Sequence, residues 1–305
     1  MNAVDWLLDA DPAIRWQVIR DLTGAPAQEV AAERSKVATQ GWGAQLLAIP
    51  APENATEAPW GDAANAEWLS LLRFHLLRDL GVDPADERVA AVVAHARENI
   101  TWHWWDNRPF FHGEVEPCIN GRVLAVAAYF GQDYGDLLDK LLSEQMADGG
   151  WNCEQENGSV RGSFHSTINV LEGLLEAEKS GHGSPQVSAA RQKGEEYLLE
   201  RKLARRLSTG EIANPHFLLF RFPPGYRYDV LRGLDYLRAA RVPTDPRMAE
   251  GIALVTGKRT PDGRWNLDDA DLGDLGFGLG EEVGQPSRWI TLRALRVLRW
   301  FAPDG

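Results

Sequence analysis

The chain contains two cysteines, Cys118 and Cys153, 35 residues apart. It opens Met1-Asn2-Ala3-Val4-Asp5-Trp6-Leu7-Leu8, with no basic start followed by a cleavage site. A structural disulfide is therefore disfavoured, and the two thiols point to thiol or metal chemistry. A second group of residues could form a binding mouth. Trp68, Tyr226, Arg227, Tyr228, Asp229, Arg288 and Trp289 all stand near expected helix starts, and together they offer aromatic walls, one acid and two cations to an apolar or aromatic ligand. The same residues also suit a plainer reading, in which Tyr228 and Trp289 fill the interior and Asp229 is a charge at a helix N-terminus. There is no Gly-x-Gly-x-x-Gly, phosphate loop, His-Glu-x-x-His or Gly-x-Ser-x-Gly turn.

The elements that must carry these residues read as helices. Apolar residues recur with helical spacing, as in Leu69-Ser70-Leu71-Leu72-Arg73-Phe74-His75-Leu76-Leu77, and no stretch of β-branched alternation competes. Two kinds of helix alternate. Residues 123–130 and 168–175 are apolar on nearly all faces, which only a helix buried on most sides tolerates. Residues 88–98, 134–146, 187–203 and 247–258 instead carry one apolar stripe and one charged face, as an outer layer would. Inner helices are expected to begin near Glu67, Pro117, Phe164, Tyr228 and Pro286. From Trp68 to Cys118, His165, Tyr228 and Trp289 the steps are 50, 47, 63 and 61 residues, about one inner-outer hairpin plus its loops. A closed ring is the simplest arrangement, with an open solenoid of hairpins as the alternative. Three further helices are expected at 12–23, 27–39 and 42–49. Residues 50–66, 180–185 and 268–284 read as loops and lid candidates.

With 305 residues, 44% apolar and 25% charged, the chain can bury one large core. No apolar run approaches the length of a membrane span, so a soluble, cytoplasmic protein is expected. A formal charge of -12, with Arg interspersed among Asp and Glu, disfavours nucleic acid and leaves small molecules or peptides as partners. Twelve Trp fill core or line an apolar cavity.

Two outer helices end in nearly the same turn, Asp148-Gly149-Gly150-Trp151-Asn152 and Asp262-Gly263-Arg264-Trp265-Asn266, with a degraded copy at Pro59-Trp60-Gly61. Asp-Gly sets a tight turn, and the Trp then clamps neighbouring hairpins. These turns resemble the Gln-Trp repeats of squalene cyclases and protein prenyltransferase β-subunits. The resemblance spans residues 55–302 and implies an all-α fold, the α/α toroid, with residues 1–54 as helices packed on a ring formed by residues 55–305.

Prenyltransferase β-subunits also hold zinc through an acidic-x-Cys pair and a later His. Glu116-Pro117-Cys118 is similar to that pair, and Phe164-His165-Ser166-Thr167 is similar to the stretch carrying the family's His. The resemblance thus implies Glu116, Cys118 and His165 as zinc ligands, types that zinc favours. Singly, each also suits packing or capping. Cys153 lies twelve residues before His165, where it would close a four-ligand, structural site; with Glu116 outside the first coordination sphere, the ion would keep an open, catalytic position.

Both familiar activities lack parts. The protonating Asp-x-Asp-Asp of squalene cyclases is missing, and Asp268-Asp269-Ala270-Asp271 has the wrong order and reads as a solvated loop. The basic residues expected before the acidic-x-Cys pair are reduced to His112, and no α-subunit is evident. The expectation is a zinc enzyme related to terpenoid cyclases and prenyltransferases, acting on a small lipophilic or thiol-bearing substrate, with Asp229, Glu172 and His112 as acid-base candidates. A non-catalytic toroid with a structural zinc, binding an isoprenoid or a protein, and a metal-assisted hydrolase or lyase are the alternatives.

Overall fold

The computed structural model describes residues 2–50, 66–270 and 278–302. The expected turn at Trp60, most of the 50–66 loop and Asp271 lie outside the described residues. The fold is all-α. The helices are α1 (Ala3–Leu8), α2 (Pro12–Val18), α3 (Ala27–Arg34), α4 (Gly41–Ala48), α5 (Ala66–Leu80), α6 (Glu87–Asn99), α7 (Pro117–Tyr129), α8 (Leu137–Ser143), α9 (Phe164–Ala177), α10 (Pro185–Glu200), α11 (Val230–Ala239), α12 (Ala249–Gly257) and α13 (Arg288–Phe301). Among the described residues the one sheet is a two-stranded ribbon, β1 (Thr101–Trp102) against β2 (Arg108–Pro109).

Local chemistry sets most of the helix starts. Asn2, Asp11, Asp86, Ser184, Asp229 and Ser287 each accept a backbone N–H from the first turn of the helix that follows. Proline occupies the first position of α2, α7 and α10, where its missing N–H removes no helical bond. The five anticipated inner starts fall within two residues of α5, α7, α9, α11 and α13.

The two kinds of helix differ in burial as their composition requires. Every residue of α7 from Pro117 to Ala128 is buried, and most of α9 is too, whereas α6 and α12 bury one stripe each. The tightest packing is between α7 and α9. Glycine permits it: a Cβ on Gly121 would lie 2.6 Å from the Asn169 backbone, and one on Gly173 would lie 2.4 Å from the Gly121 carbonyl oxygen. At these points, backbone meets backbone.

Trp151 and Trp265 make matching clamps. Each indole N–H donates 2.7 Å to a carbonyl ten residues earlier, Leu141 and Val255, and each backbone N–H donates 3.0 Å to a threonine hydroxyl of the helix that follows, Thr167 of α9 and Thr291 of α13. Both side chains are fully buried. The acidic run after the second clamp departs from expectation: Asp268 accepts Phe220 N–H and Lys258 Nζ at 2.7 Å each, and Asp269 pairs with Arg221 at 2.9 Å. The two acids pin a loop rather than face solvent. Among the described residues, no helix is long and apolar enough to cross a membrane.

Candidate metal centre

The entry into α7 is held by a buried carboxylate that the sequence reading passed over. Glu114, fully buried, accepts the N–H groups of Val115 and Glu116 at 2.6 and 2.7 Å, while Asn120 exchanges two hydrogen bonds with the Glu114 backbone. Burial pushes the Glu114 carboxyl up to about 7. This brace fixes the chain direction as it enters the helix, and so places Glu116 at the cap and Cys118 in the first turn. An acid immediately before a helix start is a readable signal; its tie to Asn120, six residues on, follows no local rule.

Glu116, Cys118 and Cys153 converge, with one ligand atom from each lying within 4.8 Å of the others. Cys118 Sγ donates to Glu116 Oε2 at 3.4 Å, and Cys153 Sγ lies 3.4 Å from the Ser166 hydroxyl at the start of α9. The thiols are unequal. The neighbouring Cys153 and burial push the Cys118 thiol above its ordinary range. The contact with Cys118, aided by Ser166 and by the Cys118 N–H in the first turn of α7, pulls Cys153 below it, against the opposing effect of burial. Backbone donors at a helix start favour a thiolate in this way. Two sulfurs and a carboxylate fit a borderline-soft ion, which would release the shared thiol proton on binding.

His165 does not join this group, so three of the four expected ligands converge and the fourth does not. The reason is its hydrogen bonding: Nδ1 accepts the Tyr228 backbone N–H at 2.8 Å, which leaves the proton of the neutral ring on Nε2 and no lone pair to offer an ion. Burial, with Arg232, Arg221 and Arg227 nearby, lowers the ring to about 4, so the neutral form prevails.

The acid-base candidates also take other roles. Glu172 binds the Arg232 guanidinium through both oxygens at 2.8 and 2.9 Å and lies 3.6 Å from Arg78. Those cations overcome burial and hold it at about 2, so it carries no proton to donate at neutral pH. Asp229 is 1% exposed; Oδ1 caps α11 and Oδ2 has no partner, and burial raises the carboxyl to about 6. His112 lies 3.7 Å from Asp133 on an open edge.

The expected aromatic mouth does not assemble. Trp68 packs edge-on against Trp102 at 5.5 Å, and Tyr228 is buried with its hydroxyl on the Leu203 carbonyl. Trp289 stacks on Phe222 at 4.3 Å, Arg288 bonds the Trp6 carbonyl and covers its ring, and Tyr226 is half exposed beside His165. A cleft of about 660 Å³ instead opens at the start of α9, lined by Phe164, His165, Tyr197 and Phe217 with Arg161, Arg201, Arg205 and Arg206. Its lining holds no carboxylate. Phe164 and His165 face this cleft, and Ser166, the next residue, touches Cys153. A separate cavity of about 450 Å³ lies among Trp289 and the charged residues of α5, α9, α11 and α13, and none of the three converging ligands lines it. Neither a family model, nor a curated protein, nor a solved structure matches the chain.

Proposed function

We propose that this protein is a zinc enzyme built on an α/α toroid, with Glu116, Cys118 and Cys153 as the zinc ligands. The observation that carries the reading is the convergence of three donors, two of them sulfur, at the braced start of a buried helix. Three protein ligands leave a tetrahedral ion one open position, the pattern of catalytic zinc sites. Bound there, zinc lowers the pKa of a thiol or water that takes the fourth place. The chain's own residues supply the surroundings: Glu114 holds the ligand loop, Ser166 orients Cys153, and the adjoining cleft offers aromatic walls with a basic rim. A small substrate with a thiol at one end and apolar and anionic parts suits that lining.

The toroid rests on the order of helix contacts. Helix α5 packs on α7, α7 on α9, and α11 on α13. Arg232 joins α11 to Asn169 and Glu172 of α9, and Arg293 of α13 lies 3.8 Å from Asp79 of α5, which returns the circuit to its start.

Elemental analysis of the purified protein tests the proposal. Roughly one zinc per chain is expected, lost in Cys118→Ala and Cys153→Ser and retained in His165→Gln; protein that carries no metal, or that keeps it without either thiol, overturns it. One observation favours a second reading, a non-catalytic toroid with structural zinc: the space between α5, α9, α11 and α13 is lined by ion pairs rather than apolar walls. Cobalt substitution separates the two. An absorption spectrum that shifts on adding a small thiol indicates an open position, whereas an unchanged spectrum favours the structural role.

A further inference from the structure

Among the described residues, the interior surrounded by α5, α7, α9, α11 and α13 holds one arginine that no carboxylate contacts directly. Arg122 of α7 is 7% exposed, and its side chain makes no hydrogen bond or ion pair among the described residues; Nε is buried with no partner at all. It lines a small cavity of about 30 Å³, room for about two waters. Arg78, Arg232 and Arg293 line the same cavity, with Asp79 and Glu172 as its carboxylates. Three arginines therefore share two acids, and Arg122 is left over. His75, also on the wall, adds no charge: its Nε2 bonds the Arg122 carbonyl at 3.1 Å, and burial drives its pKa well down.

Burying a guanidinium with no direct partner is costly: Glu172 acts on Arg122 only through space, and burial and the neighbouring Arg232 oppose its charge. The imbalance is not a reflection of overall charge, since the chain as a whole carries -12. The cavity also adjoins a larger space. Arg78, Asp79, Glu172, Arg232 and Arg293 line both it and the 450 Å³ cavity, whose further lining includes Arg34, Arg238 and Arg296 with the carboxylates Glu176 and Asp235. A ligand could thus place a small charged head against Arg122 and its body in the larger cavity.

We infer that Arg122, Arg78, Arg232 and Arg293 form a binding site for the oxyanion head of a small molecule, a carboxylate or a phosphate. Planar guanidinium groups bind either head through paired N–H donors. Glu172 and Asp79 keep the other arginines oriented, which leaves Arg122 as the free donor. Cys118 and Arg122 are four residues apart on α7 and so share a face of it, which sets the anion site one helical turn from the proposed metal ligands.

Isothermal titration of the purified protein with inorganic phosphate and, separately, with succinate tests the site and tells the two head groups apart. Saturable binding of one of them is expected, weakened roughly thirtyfold or more in Arg122→Gln and unchanged in Arg88→Gln, which removes an exposed guanidinium of α6. Binding of neither anion, or equal binding to wild type and Arg122→Gln, overturns the inference. Should Arg122→Gln fail to fold, bromide-soaked crystals of the wild type decide the matter: a bromide peak beside Arg122 supports the site, and bromide confined to the surface refutes it. Zinc measured on the same samples separates the two proposals, since lost anion binding with intact metal content, or the reverse, condemns one and spares the other.

Discussion

At the scale of single residues, Asp229 and His165 set two opposed pH dependences. The folded protein holds the Asp229 carboxyl at about 6, against an ordinary value of 3.8. The unfolded chain therefore releases this proton first, and the contribution of Asp229 to stability falls as pH rises from about 4 to about 6, by roughly 3 kcal/mol. His165 works the other way. Its ring sits at about 4, against 6.5, so the unfolded chain takes up a proton that the folded protein refuses, and stability falls as pH drops through that window. Asp229→Asn keeps the helix cap, because Asn caps as well as Asp, and removes only the first effect. Urea unfolding should show the variant gaining about 2–3 kcal/mol on wild type between pH 4 and pH 7. An offset that stays constant over this range would sink the account. The inequality of the thiols gives a second prediction: in metal-free protein at pH 7, iodoacetamide should label Cys153 first, and Cys153→Ser should abolish the fast phase. Equal labelling of the two would count against it. At this scale, legibility followed sequence distance. Glu116 and Cys118, two residues apart, could be read as a pair, whereas the role of His165 depends on an N–H from Tyr228, 63 residues away, and the carboxylate of Glu172 is claimed by Arg232, 60 residues away.

At the scale of elements, the helix starts were legible because caps and prolines act within one turn, and the inner layer was legible because burial on all sides demands apolar letters. Lengths were less so: α8 and α10 each end three residues inside their expected spans. Loops were least legible. Asp268 and Asp269 read as solvated because no partner stands within a turn of them in sequence, yet Lys258 binds Asp268 from ten residues away, and Phe220 N–H and Arg221 arrive from 48. Close helix packing is likewise invisible in a lone glycine. Gly121→Ala adds about 1 kcal/mol of helix propensity, but its methyl would sit 2.6 Å from the Asn169 backbone, which cannot yield as a side chain does. A net loss of about 1–3 kcal/mol is expected, and under the proposed zinc site some loss of metal as Cys118 and Ser166 separate. Gly257→Ala, which meets nothing within 4 Å, serves as the control and should change stability by less than about 1 kcal/mol. Equal effects at the two positions would show that the α7–α9 approach is not glycine-limited.

At the scale of the whole molecule, the N-terminal helices decide whether the chain unfolds in one step or two. Residues 1–54 were read as a layer packed on the rest, and the contacts of α2 are those of a clasp. Trp16 donates its indole N–H to the Leu80 carbonyl at the end of α5, and its ring fills the space that a side chain at Gly81 would occupy. Gln17 accepts from Arg296 of α13 at 2.7 Å, and Asp21 pairs with the same guanidinium. Arg34 of α3 donates to the Gly81 and Val82 carbonyls and to the Tyr129 hydroxyl, which reaches the end of α7. The N-terminal segment thus touches α5, α7 and α13, so it cannot peel away without exposing the buried charges behind it. Thermal unfolding followed by far-ultraviolet dichroism and by tryptophan fluorescence should give one coincident transition. Trp16→Ala should move that transition as a unit, at a cost of about 3–5 kcal/mol. If the variant instead shows an early transition in one probe alone, the segment is a separable layer and the clasp is wrong.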